Sequence, residues 1–344
     1  MTLDEMTAFP KAELHRHIDG SVPAPLLRRL GALVDDSKYK INRTQGPQEL
    51  FAVFDTVLSV MQSAENIETV FYECTCDLAA ENIWYAEWTF CPAYHTRGGL
   101  SYLEVFAAAE NGIARAFADT GVFTKLIPTI NREAWREEKP EDAFDPLGVK
   151  LAATAIYRHS CGGRIAGLGL ACDEFNNPPG IYKTAFDMAT ANGILTTPHA
   201  GEMGLNREEN IVTAINTLQA TRIGHAIPAG RNASLLSSLI KHNVHVELNP
   251  LSNLICGFVE NLDQLGISNY RSGTPNFSIN SDDPVLLGAS LSDNILAVSD
   301  ILSWTKQDLR RLAINTLGAA GMNNLERAER LSFFETKLLE ARVK

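Results

Sequence analysis

Short runs of apolar residues alternate along this chain with longer stretches in which apolar residues recur at helical spacing. Eight of the short runs have the length and the Gly, Pro or Asn boundaries of buried strands. The predicted strands cover residues 12–18, 83–90, 122–130, 164–170, 194–199, 222–225, 244–248 and 276–280. Helices are predicted between them at 102–118, 151–158, 182–191, 208–218 and 233–241, the first opened by a Ser101/Glu104 capping box.

Strands that alternate with helices predict a parallel sheet, and eight such units predict a closed (β/α)8 TIM barrel. We interpret residues 1–344 as one such domain. A doubly wound open sheet is the alternative, but no G-x-G-x-x-G follows the first predicted strand. Polar candidate residues also recur at the ends of five strands, and a barrel brings such ends to one point.

The interval between the first two strands, residues 24–80, is longer than one crossover helix requires. It contains an apolar helical segment at 49–58. We expect extra helices here. They either form a hydrophobic lid over the barrel mouth or pack as a helix pair unrelated to a ligand.

The first strand carries His15 and His17, whose side chains share one face because strand side chains alternate. His199 ends the fifth strand and Asp282 follows the eighth. Each residue alone has a structural reading, and Asp282 could cap the helix that begins near Pro284. A single metal site accounts for all four placements. Three imidazoles and a carboxylate suit zinc, with iron, cobalt and manganese also compatible.

Three further polar residues lie beside the predicted ligands. Glu202 follows His199 by three residues, so a short loop can carry it across the site, where burial would keep it protonated as an acid. His225, which ends the next strand, is placed to orient or deprotonate a water molecule. Asp283 is either a second acceptor or a capping residue.

Composition sets broader limits. The chain has 45% hydrophobic and 21% charged residues, as in globular proteins with a large core. A net charge of −11 argues against nucleic acid or an anionic membrane as the main partner. No apolar signal core or run of eighteen apolar residues occurs, so we expect a cytoplasmic protein with reduced cysteines. Cys74 and Cys76 are interpreted as structural thiols on a helix, and oligomeric state has no signal in the pattern.

Four motifs in this order resemble the adenosine deaminase family of the amidohydrolase superfamily. They are Glu13-Leu14-His15-Arg16-His17-Ile18-Asp19-Gly20, His199-Ala200-Gly201-Glu202, Arg222-Ile223-Gly224-His225 and Ser281-Asp282-Asp283-Pro284. Supporting pieces occur at 172–174 and 250–253, so the resemblance covers most of the chain. It implies a (β/α)8 barrel with one zinc ion per chain and a small-molecule purine as substrate.

The resemblance also implies roles for individual residues. His15, His17, His199 and Asp282 would bind zinc. Glu202 would protonate purine N1, while His225 and Asp282 position the hydroxide that attacks C6. Asp283 would accept a hydrogen bond from N7, and His17, Asp19 and Cys172 would also lie against the substrate.

Substrate identity is less sharply implied. Asp19 matches the family position that contacts a ribose hydroxyl, where relatives acting on the free base tend to carry Glu. This favours adenosine or deoxyadenosine. Cys172, however, stands where the adenosine enzymes have a glycine, so related substrates stay open: adenine, N6-modified adenine nucleotides, aminofutalosine-type nucleosides and pterins. Smaller departures occur at 88–92 and at Ala226.

Two other classes of function compete with a deaminase. Barrel enzymes that hydrolyse amides or phosphoesters often bridge two metals with a modified lysine, and strand 164–170 contains no lysine. A binding protein on a decayed barrel is expected to have lost a ligand or the acid, and none is missing here.

Overall fold

The computed structural model describes residues 1–41, 47–132, 145–270 and 276–343, with side chains omitted at 47–52 and 341–343. Eight parallel strands lie in chain order within these ranges, each paired with the next. The strands are β1 Lys11–His17, β2 Ile83–Phe90, β3 Phe123–Asn131, β4 Gly167–Ala171, β5 Leu195–Ala200, β6 Arg222–His225, β7 His245–Leu248 and β8 Phe277–Ile279.

The sheet closes between β1 and the residues that follow β8. The His17 N–H donates to the Asp282 carbonyl at 2.8 Å, and the Asp282 N–H donates to the His15 carbonyl at 3.2 Å. Arg16 pairs with Asp282 in a parallel bridge. The predicted (β/α)8 barrel is therefore confirmed, and its closing hydrogen bonds join two of the predicted metal-binding segments.

Helices flank every strand of the barrel. They are α1 Leu3–Ala8, α2 Ala24–Arg29, α3 Pro47–Val60, α4 Ala64–Asp77, α5 Tyr102–Thr120, α6 Pro146–Ser160, α7 Lys183–Ala191, α8 Arg207–Asn216, α9 Ala233–Lys241, α10 Pro250–Ile255, α11 Pro284–Leu287, α12 Leu291–Leu302, α13 Lys306–Ala319 and α14 Asn324–Val343. No helix in the described ranges has the length and apolar character to cross a membrane.

Most predicted boundaries differ from the observed ones by a residue or two. The Ser101/Glu104 capping box opens α5 as predicted. The largest differences are in α6 and β4. Helix α6 begins earlier than predicted, because Asp145 caps the N–H of Gly148 and Pro146 occupies the first turn. Strand β4 begins later, and Ile165 forms only an isolated bridge with Leu126.

The long insertion between β1 and β2 forms helices α2, α3 and α4, as expected; residues 42–46 and the side chains of 49–52 lie outside the described residues. Helix α3 contributes side chains both to the core and to the barrel mouth. Val57 is fully buried in the core, whereas Phe54 lines a cavity at the barrel mouth. Cys74 lies on α4 and is buried, as the structural reading of this thiol requires.

Acid sensitivity is expected from His95, which is buried in the short 3-10 helix Pro92–His95. Burial lowers the pKa of His95 from 6.5 to about 4, and its Nδ1 lies 3.1 Å from the Met61 carbonyl. The unfolded chain binds a proton at this residue below pH 6.5 and the folded protein only below about 4. Acidification between these values therefore favours unfolding, by about 2 kcal/mol at pH 5.

Urea unfolding at pH 7 and pH 5 measures this contribution. The variant His95→Gln keeps an N–H donor but does not titrate. On acidification we therefore expect its free energy of unfolding to fall by about 2 kcal/mol less than that of the unmodified protein. Identical pH dependence in both proteins would contradict the assignment.

Candidate active site

The four predicted metal ligands meet at the carboxyl ends of the barrel strands. The Asp282 Oδ1 atom lies 3.3 Å from the Nε2 atoms of both His15 and His17. The His17 and His199 Nε2 atoms are also 3.3 Å apart. Strands β1, β5 and the turn after β8 therefore direct three imidazoles and one carboxylate to a single point.

His225 belongs to the same cluster. One donor atom each from His15, His199, His225 and Asp282 lies within 4.8 Å of the others, and all four residues are buried. Five side chains thus surround this point, one more than the predicted ligand set. The extra side chain, His225, has its Nε2 3.8 Å from Asp282 Oδ2 and 3.2 Å from Asn249 Nδ2.

Neighbouring side chains fix the orientation of these rings. The His15 Nδ1 atom lies 2.7 Å from Glu247 Oε2, and His225 Nδ1 lies 2.8 Å from Asn253 Oδ1. Ser252 donates to Asp282 Oδ2 at 2.6 Å. Partners of this kind set the tautomer and direction of metal ligands.

Glu247 is a residue of this site that the sequence analysis missed. It lies on β7, is buried, and accepts hydrogen bonds from Thr197 at 2.7 Å and from Arg222 Nε at 2.5 Å. Arg222 in turn pairs with buried Glu87 at 2.7 Å. A signal was present, because a single carboxylate in the apolar strand predicted at 244–248 needs a partner when buried.

His17, His199 and Asp282 have the charge states that metal binding requires. Burial, reinforced by the neighbouring imidazoles, lowers the pKa of His17 to about 4 and that of His199 well below its usual value. Burial alone would raise the pKa of Asp282, but hydrogen bonding and the charge of nearby imidazoles hold it well below the usual range. Neutral rings beside an ionised carboxylate are metal donors.

His15 is the exception. Burial lowers its pKa, but the Asp282 and Glu247 carboxylates outweigh burial and raise the pKa to about 10. The His15 Nε2 atom is buried and faces Asp282 Oδ1 at 3.3 Å. A divalent cation at this point would replace a proton and satisfy this nitrogen, so the donor set fits zinc.

The carboxyl groups of Glu202, Asp19 and Asp283 have raised pKa values, in contrast to the lowered pKa of Asp282. Burial raises the pKa of Glu202 well above its usual value, and the Asp282 and Glu174 charges add to this rise. Burial likewise raises the pKa of Asp283, and it raises the pKa of Asp19 to about 6. Glu202 Oε1 lies 3.5 Å from His225 Nε2, so a carboxyl able to hold a proton faces the imidazole cluster.

A cavity beside the imidazole cluster has the predicted substrate residues in its walls, namely His17, Asp19, Cys172, Glu202, Asp282 and Asp283. The Oδ1 atoms of Asp19 and Asp283 are buried without a hydrogen-bond partner among the described residues. Gly20 allows Asp283 to approach, because a Cβ at Gly20 would lie 1.9 Å from Asp283 Oδ1. Two carboxyl oxygens are thus available to a ligand.

Cys172 lines this cavity. Its Sγ lies 3.7 Å from the hydroxyl of Tyr94. Cys172, His225 and Asp282 have positive φ angles of 76°, 65° and 64°. These residues end or follow β4, β6 and β8, and left-handed backbone at non-glycine residues is concentrated at functional sites.

Comparison with known proteins agrees with this geometry. The sequence profile described as adenosine deaminase matches residues 10–335. The chain is 28% identical to an adenine deaminase of Chlorobium phaeobacteroides over 95% of this chain and 96% of that protein. It is 29% identical to an aminodeoxyfutalosine deaminase of Streptomyces avermitilis over 92% of this chain and 87% of that protein.

Solved structures share the fold. The adenine deaminase from Arthrobacter aurescens superposes with a TM-score of 0.80 at 23% identity, over 97% of this chain and 99% of that one. An amidohydrolase from Burkholderia ambifaria with bound Zn superposes with a TM-score of 0.77 at 23% identity, over 99% of this chain and 95% of that one. The N6-methyl-AMP deaminase from Arabidopsis thaliana superposes with a TM-score of 0.82 at 19% identity, over 97% of this chain and 98% of that one.

The profile match spans most of the chain, and it confirms the resemblance that the four motifs had indicated. The protein therefore belongs to the adenosine deaminase family of the amidohydrolase superfamily and is a hydrolase acting on C–N bonds.

Proposed function

We propose that this protein is a zinc-dependent deaminase that hydrolyses the 6-amino group of an aminopurine, with adenine as its principal substrate. In this reaction water supplies oxygen to C6 and ammonia leaves. The observation that carries the proposal is the convergence of His15, His17, His199 and Asp282 beside the buried acid Glu202.

We assign one zinc ion per chain to His15, His17, His199 and Asp282. His225 is the remaining member of the cluster, and both of its ring nitrogens already lie near amide side chains, Nδ1 near Asn253 and Nε2 near Asn249. It is therefore better suited to orient the nucleophile than to bind the metal. Zinc in this site would lower the pKa of a water molecule toward about 7, so that hydroxide is available at neutral pH.

Glu202 would act as the general acid. Its raised pKa favours the protonated carboxyl, which can donate to ring nitrogen N1 and make C6 more electrophilic. His225 and Asp282 would direct the nucleophile to C6. Asp283, also protonated because of its burial, would donate a hydrogen bond to N7 on the other side of the amino group.

Adenine is proposed as the principal substrate because the relatives at 28–30% identity include several adenine deaminases. This departs from the sequence-based preference for adenosine, which rested on Asp19 and is not confirmed. A second candidate is an aminofutalosine-type nucleoside. It is favoured by the relative of that activity and by the unpartnered oxygen of Asp19, which could accept from a sugar hydroxyl.

Ammonia release from a substrate panel tests the proposal, with zinc content determined on the same preparation. The panel contains adenine, adenosine, deoxyadenosine, aminodeoxyfutalosine, N6-methyl-AMP and a pterin. We expect about one zinc per chain, the highest kcat/KM on adenine, and loss of activity on chelation with recovery on adding zinc. A zinc-loaded protein that releases ammonia from none of these compounds would refute the function.

Asp19→Ala separates the two substrate candidates. If Asp19 binds a sugar hydroxyl, its removal should lower kcat/KM on nucleosides by about tenfold, since one hydrogen bond to a charged group is lost. We expect a loss below about threefold on adenine, which has no sugar. Equal losses on both classes would show that Asp19 contacts the base instead.

A further inference from the structure

We infer that Glu174 is a positioning residue that holds the loop carrying Glu202 in its reactive place. The inference rests on the proposed role of Glu202 as the acid and adds to it the group that fixes its backbone. Glu174 follows β4 and is 2% exposed, and it belongs to a different strand–helix unit from Glu202.

The Glu174 carboxylate receives four hydrogen bonds, three of them from consecutive backbone N–H groups. The N–H of Gly201 donates to Oε1 at 2.7 Å, and the N–H groups of Glu202 and Met203 both donate to Oε2 at 2.9 Å. Asn210 on α8 donates to Oε1 at 2.9 Å. One buried carboxylate thus binds the whole turn that follows β5.

Among the described contacts, these three N–H groups have no backbone acceptor, because the turn leaves the sheet immediately after Ala200. Gly201 has a φ of +78°, and a Cβ there would lie 2.6 Å from Ile211 Cδ1. The turn is therefore pressed against α8 while its amides face Glu174. Buried amides without a partner are costly, so the loop conformation depends on this carboxylate.

The metal ligand at the start of the same segment is held independently. The His199 carbonyl accepts from the Arg132 guanidinium, and the His199 ring meets its metal-site neighbours from within β5. A change at Glu174 should therefore displace Glu202 more than His199. This predicts a loss of acid catalysis without a loss of zinc.

The test is Glu174→Gln, which replaces one acceptor oxygen by an NH2 group facing donor N–H groups. We expect kcat on the best substrate to fall about 10- to 100-fold, since small displacements of a reacting group have effects of this size. KM should change less than about threefold, and zinc content should not change. Amide hydrogen exchange at residues 201–203 should accelerate.

Glu110→Gln is the matched control. Glu110 is also buried and accepts a backbone N–H, that of Arg164 at 2.9 Å, but it lies on α5. The Glu110→Gln variant should leave kcat and amide hydrogen exchange at residues 201–203 unchanged. Asn210→Ala removes only one of the four bonds, so it gives a smaller effect in the same direction if Glu174→Gln does not fold.

Two results would overturn the inference: unchanged exchange at 201–203 in Glu174→Gln and Asn210→Ala, or accelerated exchange with full kcat. Failure of the proposed function is distinguishable, because it would appear as an unmodified protein without activity on the substrate panel. The exchange measurement would still report on Glu174 in that case.

Discussion

Replacing Glu202 by Gln is expected to reduce kcat by about 10²- to 10⁴-fold while zinc remains bound. Glutamine has nearly the same shape but carries no acidic proton, so the substrate ring nitrogen cannot be protonated. Glu202 is not among the four proposed ligands, and its Oε1 faces His225 at 3.5 Å. Ammonia release and zinc content, measured on one preparation, separate loss of the acid from loss of the metal.

The exposed Glu208 on α8 provides the control for this substitution, because Glu208→Gln makes the same chemical change outside the cavity. It should retain full activity. If Glu202→Gln kept more than about a tenth of the unmodified kcat, general acid catalysis by this residue would be excluded.

Asp282→Ala is expected to remove both zinc and activity. Asp282 is the carboxylate that approaches His15 and His17, and without it the proposed ligand set would contain no anionic donor to balance a divalent cation. We expect the zinc content to fall to a small fraction of one equivalent. The rate should fall at least about 10³-fold, because the metal supplies several kcal/mol of transition-state stabilisation.

Asp300→Ala, at an exposed position of α12, is the corresponding control and should keep both zinc and activity. Elemental analysis and ammonia release provide the two readouts. A fully zinc-loaded Asp282→Ala protein would remove Asp282 from the ligand set and leave the imidazoles, including that of His225, as the candidate ligands. The Glu202 and Asp282 variants therefore test different parts of the site.

The barrel and the meeting of the predicted site side chains could be predicted from local sequence signals. His15 and His17 alternate on one strand, and His199 and Asp282 each stand at a strand end, so strand periodicity was sufficient to bring them together. The structure places all of them, together with Glu202 and His225, around one point.

The supporting residues could not be located in the same way. Glu247 contacts His15 from 232 positions away, and Glu174 binds amides 27 to 29 positions further along the chain. Such contacts depend on how different strand–helix units are placed relative to one another in the barrel. The alternation of side chains within one strand does not determine that placement. A single carboxylate in an apolar strand was the available indication for Glu247, and Glu174 lies in the supporting piece of the resemblance at 172–174.

The left-handed backbone at Cys172, His225 and Asp282 has a consequence for engineering heat resistance. Non-glycine residues in this conformation cost roughly 1–2 kcal/mol each, so glycine would be the obvious stabilising replacement at all three places. At 225 and 282 that exchange would delete side chains proposed to take part in the reaction. Among these three positions, thermostabilisation by this route is therefore open only at 172, where it would also reshape the cavity wall proposed to meet the substrate.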